Sequence, residues 1–172
     1  MSYLISLGNA VMPQSCAAKN SADSVERELL VSISAGSRSA MARLYFLYFP
    51  RLAQFFLHVM GNAALVQELI GDTMLEVWRE NATAGPNTRV SVWTMGIAYR
   101  HARRRLADGV FLPLHDYPRR LTVEGRAALH LAYVGDHSRQ EIASIMNMSC
   151  ESVDLHLSSA RHWLRTSAND GD

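Results

Sequence analysis

Three acidic side chains, Glu68, Asp72 and Glu76, recur at intervals of four residues. On a helix that spacing stacks them in one stripe, and a fixed row of carboxylates favours a basic partner and speeds encounter with it. Taken alone, the same row also reads as a solvated helix face. A little further on stand Arg100, Arg103, Arg104 and Arg105, the first three sharing a face at i, i+3 and i+4. Arginine offers paired hydrogen bonds to phosphate and keeps its charge when partly buried, so this cluster reads as a contact for a nucleic-acid backbone rather than as a merely solvated face. Of the 17 basic residues 16 are arginine, yet the net charge is only +1, so any contact with nucleic acid must come from such a local patch.

Catalytic chemistry has no comparable signal. The seven histidines, His58, His101, His115, His130, His137, His156 and His162, show no HExxH or other ligand spacing and read as surface or core residues. Cys16 and Cys150 form no paired metal-ligand spacing. There is no glycine-rich phosphate loop, and no nucleophile sits in a recognisable catalytic setting. The chain is therefore expected to be no enzyme and to need neither metal nor cofactor. No apolar run approaches the ~18 residues that cross a bilayer, and the start lacks a basic end ahead of its apolar residues, so a cytoplasmic protein without a membrane partner is expected.

The elements that must position these groups follow from periodicity. With 172 residues, 48% of them apolar, the chain can form one ordinary domain or two small ones. Residues 1–21 read as a mobile tail. Asp23 and Glu26 have capping-box spacing, and Val25, Leu29, Leu30 and Ile33 mark the apolar face of a first helix up to Gly36. Ser37 can cap a second helix, with Met41, Leu44, Tyr45, Tyr48, Leu52, Phe55, Phe56 and Val59 at helical spacing. Pro50 is expected to kink or break it.

After Gly61 and Asn62 a third helix, AALVQELIGDTMLEVWRE, would bury Leu65, Leu69, Val77 and Trp78 and carry the acidic stripe. The turn-rich NATAGPNTR precedes a fourth helix with Trp93 and Ile97 facing inward and a basic, exposed end. Residues 109–120, with two prolines and a glycine, read as a linker. Beyond it lie three short helical patterns, around residues 126–133, 138–146 and 151–164, and a tail at 168–172. In the last two, Ile142 and Ala143 pack one helix, Met148 fills a turn, and Val153, Leu157, Ala160 and Leu164 stripe the other. That is the form of a helix-turn-helix, in which a second helix enters the major groove, though an ordinary helical hairpin has the same spacing. No strand pattern appears, so the expected fold is all-α, with two small helical domains at 22–108 and 121–167.

At these residues the chain resembles an extracytoplasmic-function sigma factor of bacterial RNA polymerase, over residues 23–166. MARLYFLYFPRLAQFF and ELIGDTMLEVWRE resemble signatures of the family's first domain, region 2, VSVWTMGIA its promoter-melting segment, and EIA…VDLHLSSARHWLR the second domain, region 4. The resemblance implies a transcription initiation factor that binds RNA polymerase core and directs it to promoters. The helix of residues 64–79 would dock on a coiled coil of the largest polymerase subunit through Glu68, Leu69, Asp72, Thr73, Leu75 and Glu76. Gln67 stands where the family commonly has an acid. Asn87, Arg89, Trp93, Tyr99, Arg100, Arg103 and Arg104 would meet the opened minus-ten element, although Trp93 and Ile97 share an inward spacing that suits core. Arg100 and Arg104 occupy places where the family often has Asn and Asp, so no promoter preference carries over.

Arg139, Ser152, Leu155, His156, Ser159 and Arg161 would contact the minus-35 element as duplex. Here Asp154, His156 and Ser159 stand where relatives usually carry basic residues, and the helix begins with Glu151. Acids facing phosphate are repelled, so duplex binding by the second domain is expected to be weak, and the first domain to carry most of the DNA affinity. An anti-sigma factor or other protein regulator is the further partner that the family implies. The alternative reading is a sigma-like protein-binding regulatory module with little DNA affinity of its own.

Overall fold

A computed structural model describes residues 16–85, 87, 89–109 and 121–169. The expected linker, apart from Gly109, and residues 1–15 and 170–172 of the expected tails lie outside them, whereas 16–21 and 168–169, read as tail, are helical as the start of α1 and the end of α7. The described chain is all-α: α1 (Cys16–Ser34), α2 (Arg38–Met60), α3 (Ala63–Glu80), a single 3-10 turn at Asn81–Thr83, α4 (Val90–Ala107), α5 (Val123–Tyr133), α6 (Arg139–Met146) and α7 (Cys150–Asn169).

Local chemistry sets most of the helix ends. The Ser37 hydroxyl accepts the Ala40 amide ahead of α2, and the Asn62 side chain accepts that of Ala64 ahead of α3. Gly61 closes α2 in the left-handed region at φ 67°, where a residue without Cβ is at ease. Two sequence expectations are corrected here. Asp23 and Glu26 do not cap a helix, because α1 begins at Cys16 and carries both in its interior. Glu26 is instead buried, accepting the Tyr48 hydroxyl at 2.7 Å and Arg51 Nη1 at 2.8 Å, so it ties α1 to α2. Pro50 does not end α2, which continues through it to Met60. The ring lies on the exposed face, and the buried residues Tyr48, Leu52, Phe55 and Phe56 on either side hold the helix together.

Leu29, Leu30 and Ile33 are buried as their spacing implies, but Val25 is exposed, its neighbour Glu26 having taken the inward position. Leu164 is exposed too, since the buried stripe of α7 stops at Ala160.

The two halves are in contact. One core cluster runs from Leu29 in α1 through Ile97 in α4 to Ile142 and Leu157 in α6 and α7. The most extensive helix pairing joins α4 to α6, and α5 lies on α2 as well as on α7. At Gly96 the α6 backbone passes so near that a Cβ would stand 3.8 Å from the Ile145 carbonyl oxygen. Across the other junction the Phe55 ring meets His130 edge-on, with centroids 5.6 Å apart.

The Glu26 tie generates a stability prediction. Removing a buried carboxylate that serves a hydroxyl and a guanidinium forfeits charge-assisted hydrogen bonds worth about 2–3 kcal/mol. Glu26→Ala should lower the unfolding free energy by about that amount in urea titrations. An unchanged midpoint would show that α1 is held by its apolar face alone.

Candidate nucleic-acid interface

Along the outer side of α3 and α4 the acidic stripe and the arginine cluster face each other. Glu76 accepts a hydrogen bond from Arg100, and its second oxygen lies 2.8 Å from His101 Nε2. Glu68 accepts from Arg105. The residues between line an open groove of about 520 Å³, with Asp72, Leu75 and Glu76 on one wall and Arg100 and Arg104 on the other. Two surfaces read separately from sequence are thus one, largely self-neutralised. Leu69 and Thr73 are buried, and the Thr73 hydroxyl donates to the Leu69 carbonyl at 2.7 Å, so these two shape α3 from within. Asp72 and the exposed Leu75 remain on the outer face. Of the basic residues, Arg103 and Arg104 are exposed, with the Arg103 guanidinium 5.9 Å from the Tyr99 ring centre.

The loop residues expected at the minus-ten element lie against the second half of the chain. Arg89 donates to Glu141 at the start of α6 at 2.5 Å and lies 3.9 Å from Asp23. Partial burial works against its charge, but the carboxylates of Glu141, Asp23 and Glu26 outweigh that and hold its pKa above the usual arginine value. Burial likewise works against the Glu141 carboxylate. The Ser138 amide, Arg89 and His137 together bring it below its ordinary range. Asn87 is exposed, and with Arg89 and Val92 it bounds a cleft of about 740 Å³ whose far wall holds Asp136, His137, Ser138 and Glu141.

Tyr99 is only 2% exposed, and its hydroxyl has no hydrogen-bond partner among the described residues. Burial and the Glu124 carboxylate of α5 push its pKa up to about 12, against the pull of Arg103. Trp93 is half-buried against the core, in keeping with its inward spacing.

The α6–α7 pair has a well-defined turn. Ser138 and Glu141 form a full capping box, and Asn147 closes α6 with φ 52°. Met148 packs against the core, and the Ser149 hydroxyl accepts the Ser152 amide at the start of α7. Val153, Leu157 and Ala160 face inward, leaving Leu155, Ser159 and Arg161 exposed and Ser152 and His156 half-buried. Asp154 is not left bare: Arg139 of α6 donates to it at 2.8 Å, and both side chains are open to solvent. Glu151 has its carboxyl pKa lowered by its own backbone amide and the Ser149 hydroxyl, with Arg139 adding to the effect.

Sequence reading missed the pairs Arg100 with Glu76, Arg89 with Glu141 and Arg139 with Asp154. Their separations of 24, 52 and 15 residues fall outside the i, i+4 spacing that a helix reveals.

Residues 113–164 match the family model described as sigma-70, region 4. No curated protein matches the chain. Among solved structures it is similar to CnrH in complex with the cytosolic domain of CnrY, with a TM-score of 0.69 and 19% identity over 86% of this chain and 99% of that one. It is also similar to the sigma factor RpoE in complex with the anti-sigma factor NepR from Bartonella quintana, with a TM-score of 0.60 and 18% identity over 76% of this chain and 98% of that one. The all-α architecture is shared with both.

The Arg89 contact can be measured across the seam. Glu141→Gln keeps a group able to serve the capping box, so a double-mutant cycle with Arg89→Ala isolates the ion pair. A coupling of about 1 kcal/mol is expected for a pair in partial contact with solvent. Additive effects would mean that the two side chains do not hold the halves together.

Proposed function

We infer that this chain, a sigma factor of the extracytoplasmic-function class, binds the RNA polymerase core and directs it to particular promoters. The observation that carries this is the sigma-70 region 4 match on residues 113–164, lying inside a chain whose fold is shared with a sigma factor over most of its length. Such a protein performs no catalysis of its own. Its work is binding, and it takes place where the polymerase is. Among the described residues no helix is long and apolar enough to cross a membrane.

In this reading α3 docks on polymerase through Asp72 and Leu75, which stand outward between the paired Glu68 and Glu76. Leu69 and Thr73 support that face from below. The α4 end supplies Arg103 and Arg104 to strand phosphates, the exposed Asn87 meets the opened minus-ten strand, and Tyr99 and Arg89 join it once they are uncovered. In the second domain the outward side of α7 meets the minus-35 duplex through Leu155, Ser159 and Arg161, with Arg139, Ser152 and His156 at its edge.

The described arrangement then corresponds to a resting form. Elements at minus ten and minus 35 lie about 25 base pairs apart, roughly 85 Å of duplex at ~3.4 Å per pair. Helices packed directly on one another cannot reach both, so α5, α6 and α7 must leave α2 and α4 when promoter is bound. A protein regulator that favours either arrangement would set the activity, and we propose a partner of the anti-sigma kind on that ground.

The reading is tested by adding the chain to core polymerase and asking for promoter-dependent RNA; RNA that starts no differently with and without it would overturn the proposal. Asp72→Lys combined with Leu75→Ala should weaken core binding by roughly tenfold or more while leaving the circular dichroism unchanged. Asp154→Ala should strengthen holoenzyme binding to duplex and steepen its salt dependence by about 0.9, because it releases Arg139 toward a phosphate. Weaker duplex binding would instead give Asp154 a useful contact of its own.

A further inference from the structure

We propose that a histidine cluster at the seam between the two halves is an acid-sensitive latch: His58, His130 and His137 come from three different segments, and protonation there releases α5 from α2. Of the three, His58 lies on α2, His130 on α5, and His137 on the turn that leads into α6. The His130 ring centre is 4.9 Å from that of His58 and 5.6 Å from that of Phe55. Its side chain belongs to the buried set, 5% exposed, and its Nδ1 is buried without a hydrogen-bond partner among the described residues. The His137 side chain is 6% exposed. Imidazole is thus built into the buried seam, and it is the side chain that changes charge nearest neutral pH.

The surroundings decide the sign. From α2, His130 faces His58, and from the turn before α6 it faces His137, and both neighbours work against a positive charge on its ring. On its own helix Arg126 stands one turn earlier, also buried. Carboxylates lie on the far side of His137: Glu141 Oε2 is 3.8 Å from His137 Nδ1, and Asp136 lines the same cleft. A proton on His130 therefore enters a buried site near the Arg126 guanidinium and between two further imidazoles.

Burial first, and then His58 and His137, take its pKa from 6.5 down to about 3. Separation of α5 from α2 exposes the ring and restores a value near 6.5. The closed form gains its full stability from this group above pH 6.5 and loses it as the pH falls, because only the open form takes the proton. For one such histidine the ratio of closed to open falls about tenfold between pH 7.5 and 5.5. The Glu141 carboxyl, held low, stays ionised throughout that window, so the Arg89 contact does not titrate with it.

Seam opening is read by thiol labelling of the full chain carrying Val92→Cys, with Cys16 and Cys150 changed to Ser. Val92 is buried and lines the cleft between the halves. Its labelling rate is divided by that of a free thiol at the same pH, which removes the effect of thiolate ionisation. The ratio should rise about tenfold from pH 7.5 to 5.5, while a control, Val77→Cys in the core of α3, stays protected at both. Adding His130→Phe should abolish the rise, and His130→Gln carries the same test if the phenylalanine disturbs packing. A flat ratio, an equal rise at Val77→Cys, or a rise that survives loss of His130 would each overturn the latch. Its consequence for transcription rests on the sigma-factor reading, so core-polymerase affinity is measured at the same two pH values. Opening without any gain in affinity would count against that reading and leave the latch standing.

Discussion

Burial of one half of the chain against the other is the constraint on which the remaining features depend. The apolar residues of α4 and α6 belong to one cluster, so each half completes the other's core. Burial on this pattern is non-directional and takes no account of what the faces are later used for. Arg89 and Tyr99, proposed above to meet the promoter strand, are withdrawn by the same packing that lends stability. On the proposed reading, self-packing therefore competes with DNA contact, without any separate inhibitory segment among the described residues.

Charge is organised on the same economy. Glu76 with Arg100, Glu68 with Arg105, and Asp154 with Arg139 each join an acid and a base that would otherwise serve different partners. Solvent-exposed pairs of this kind contribute little to stability, typically below about 1 kcal/mol, so they can exchange for a polymerase side chain or a phosphate at small cost. Their effect is on specificity: a partner must offer charge in the right place to displace the internal one. A chain of net charge +1 can in this way hold usable arginines while presenting no broad basic surface to arbitrary nucleic acid.

The helices were legible in the sequence because their cause is local. The apolar period marks α2, α3 and α4 closely, and capping side chains such as Ser37 and Ser138 stand where the helices begin. Where local signals failed, a distant contact had overruled them. Asp23 and Glu26 have the spacing of a cap, yet Glu26 is held by Tyr48 and Arg51 from another helix. Pro50 is a breaker by its own chemistry, but the buried side chains around it keep α2 continuous. The outward positions of Leu155, Ser159 and Arg161 could be read from the period of α7, and the burial of Tyr99 could not. Glu124, whose carboxylate acts on Tyr99, belongs to a separate helix, α5, and no periodicity links one helix to another. Seven histidines without ligand spacing gave no hint that three of them converge, since convergence is a property of how α2, α5 and the turn before α6 meet.

A short connection between the halves makes modest seam energies effective. Because the halves belong to one chain, reassociation is an intramolecular step. Under those conditions a contact too weak to hold two separate molecules together keeps the closed form predominant. Opening then does not require the seam to be destroyed. It requires a ligand that binds the open form better than the closed one, and each tenfold of that preference moves the equilibrium tenfold. On the proposed reading, polymerase and promoter between them use α3, the end of α4 and the outward side of α7, and would have that preference because their contacts could not all be made while α6 lies on α4. A tenfold change from protonation at the seam is then comparable with the contribution of one good contact to either partner, which is the range in which a modest signal can decide between a closed and an engaged factor.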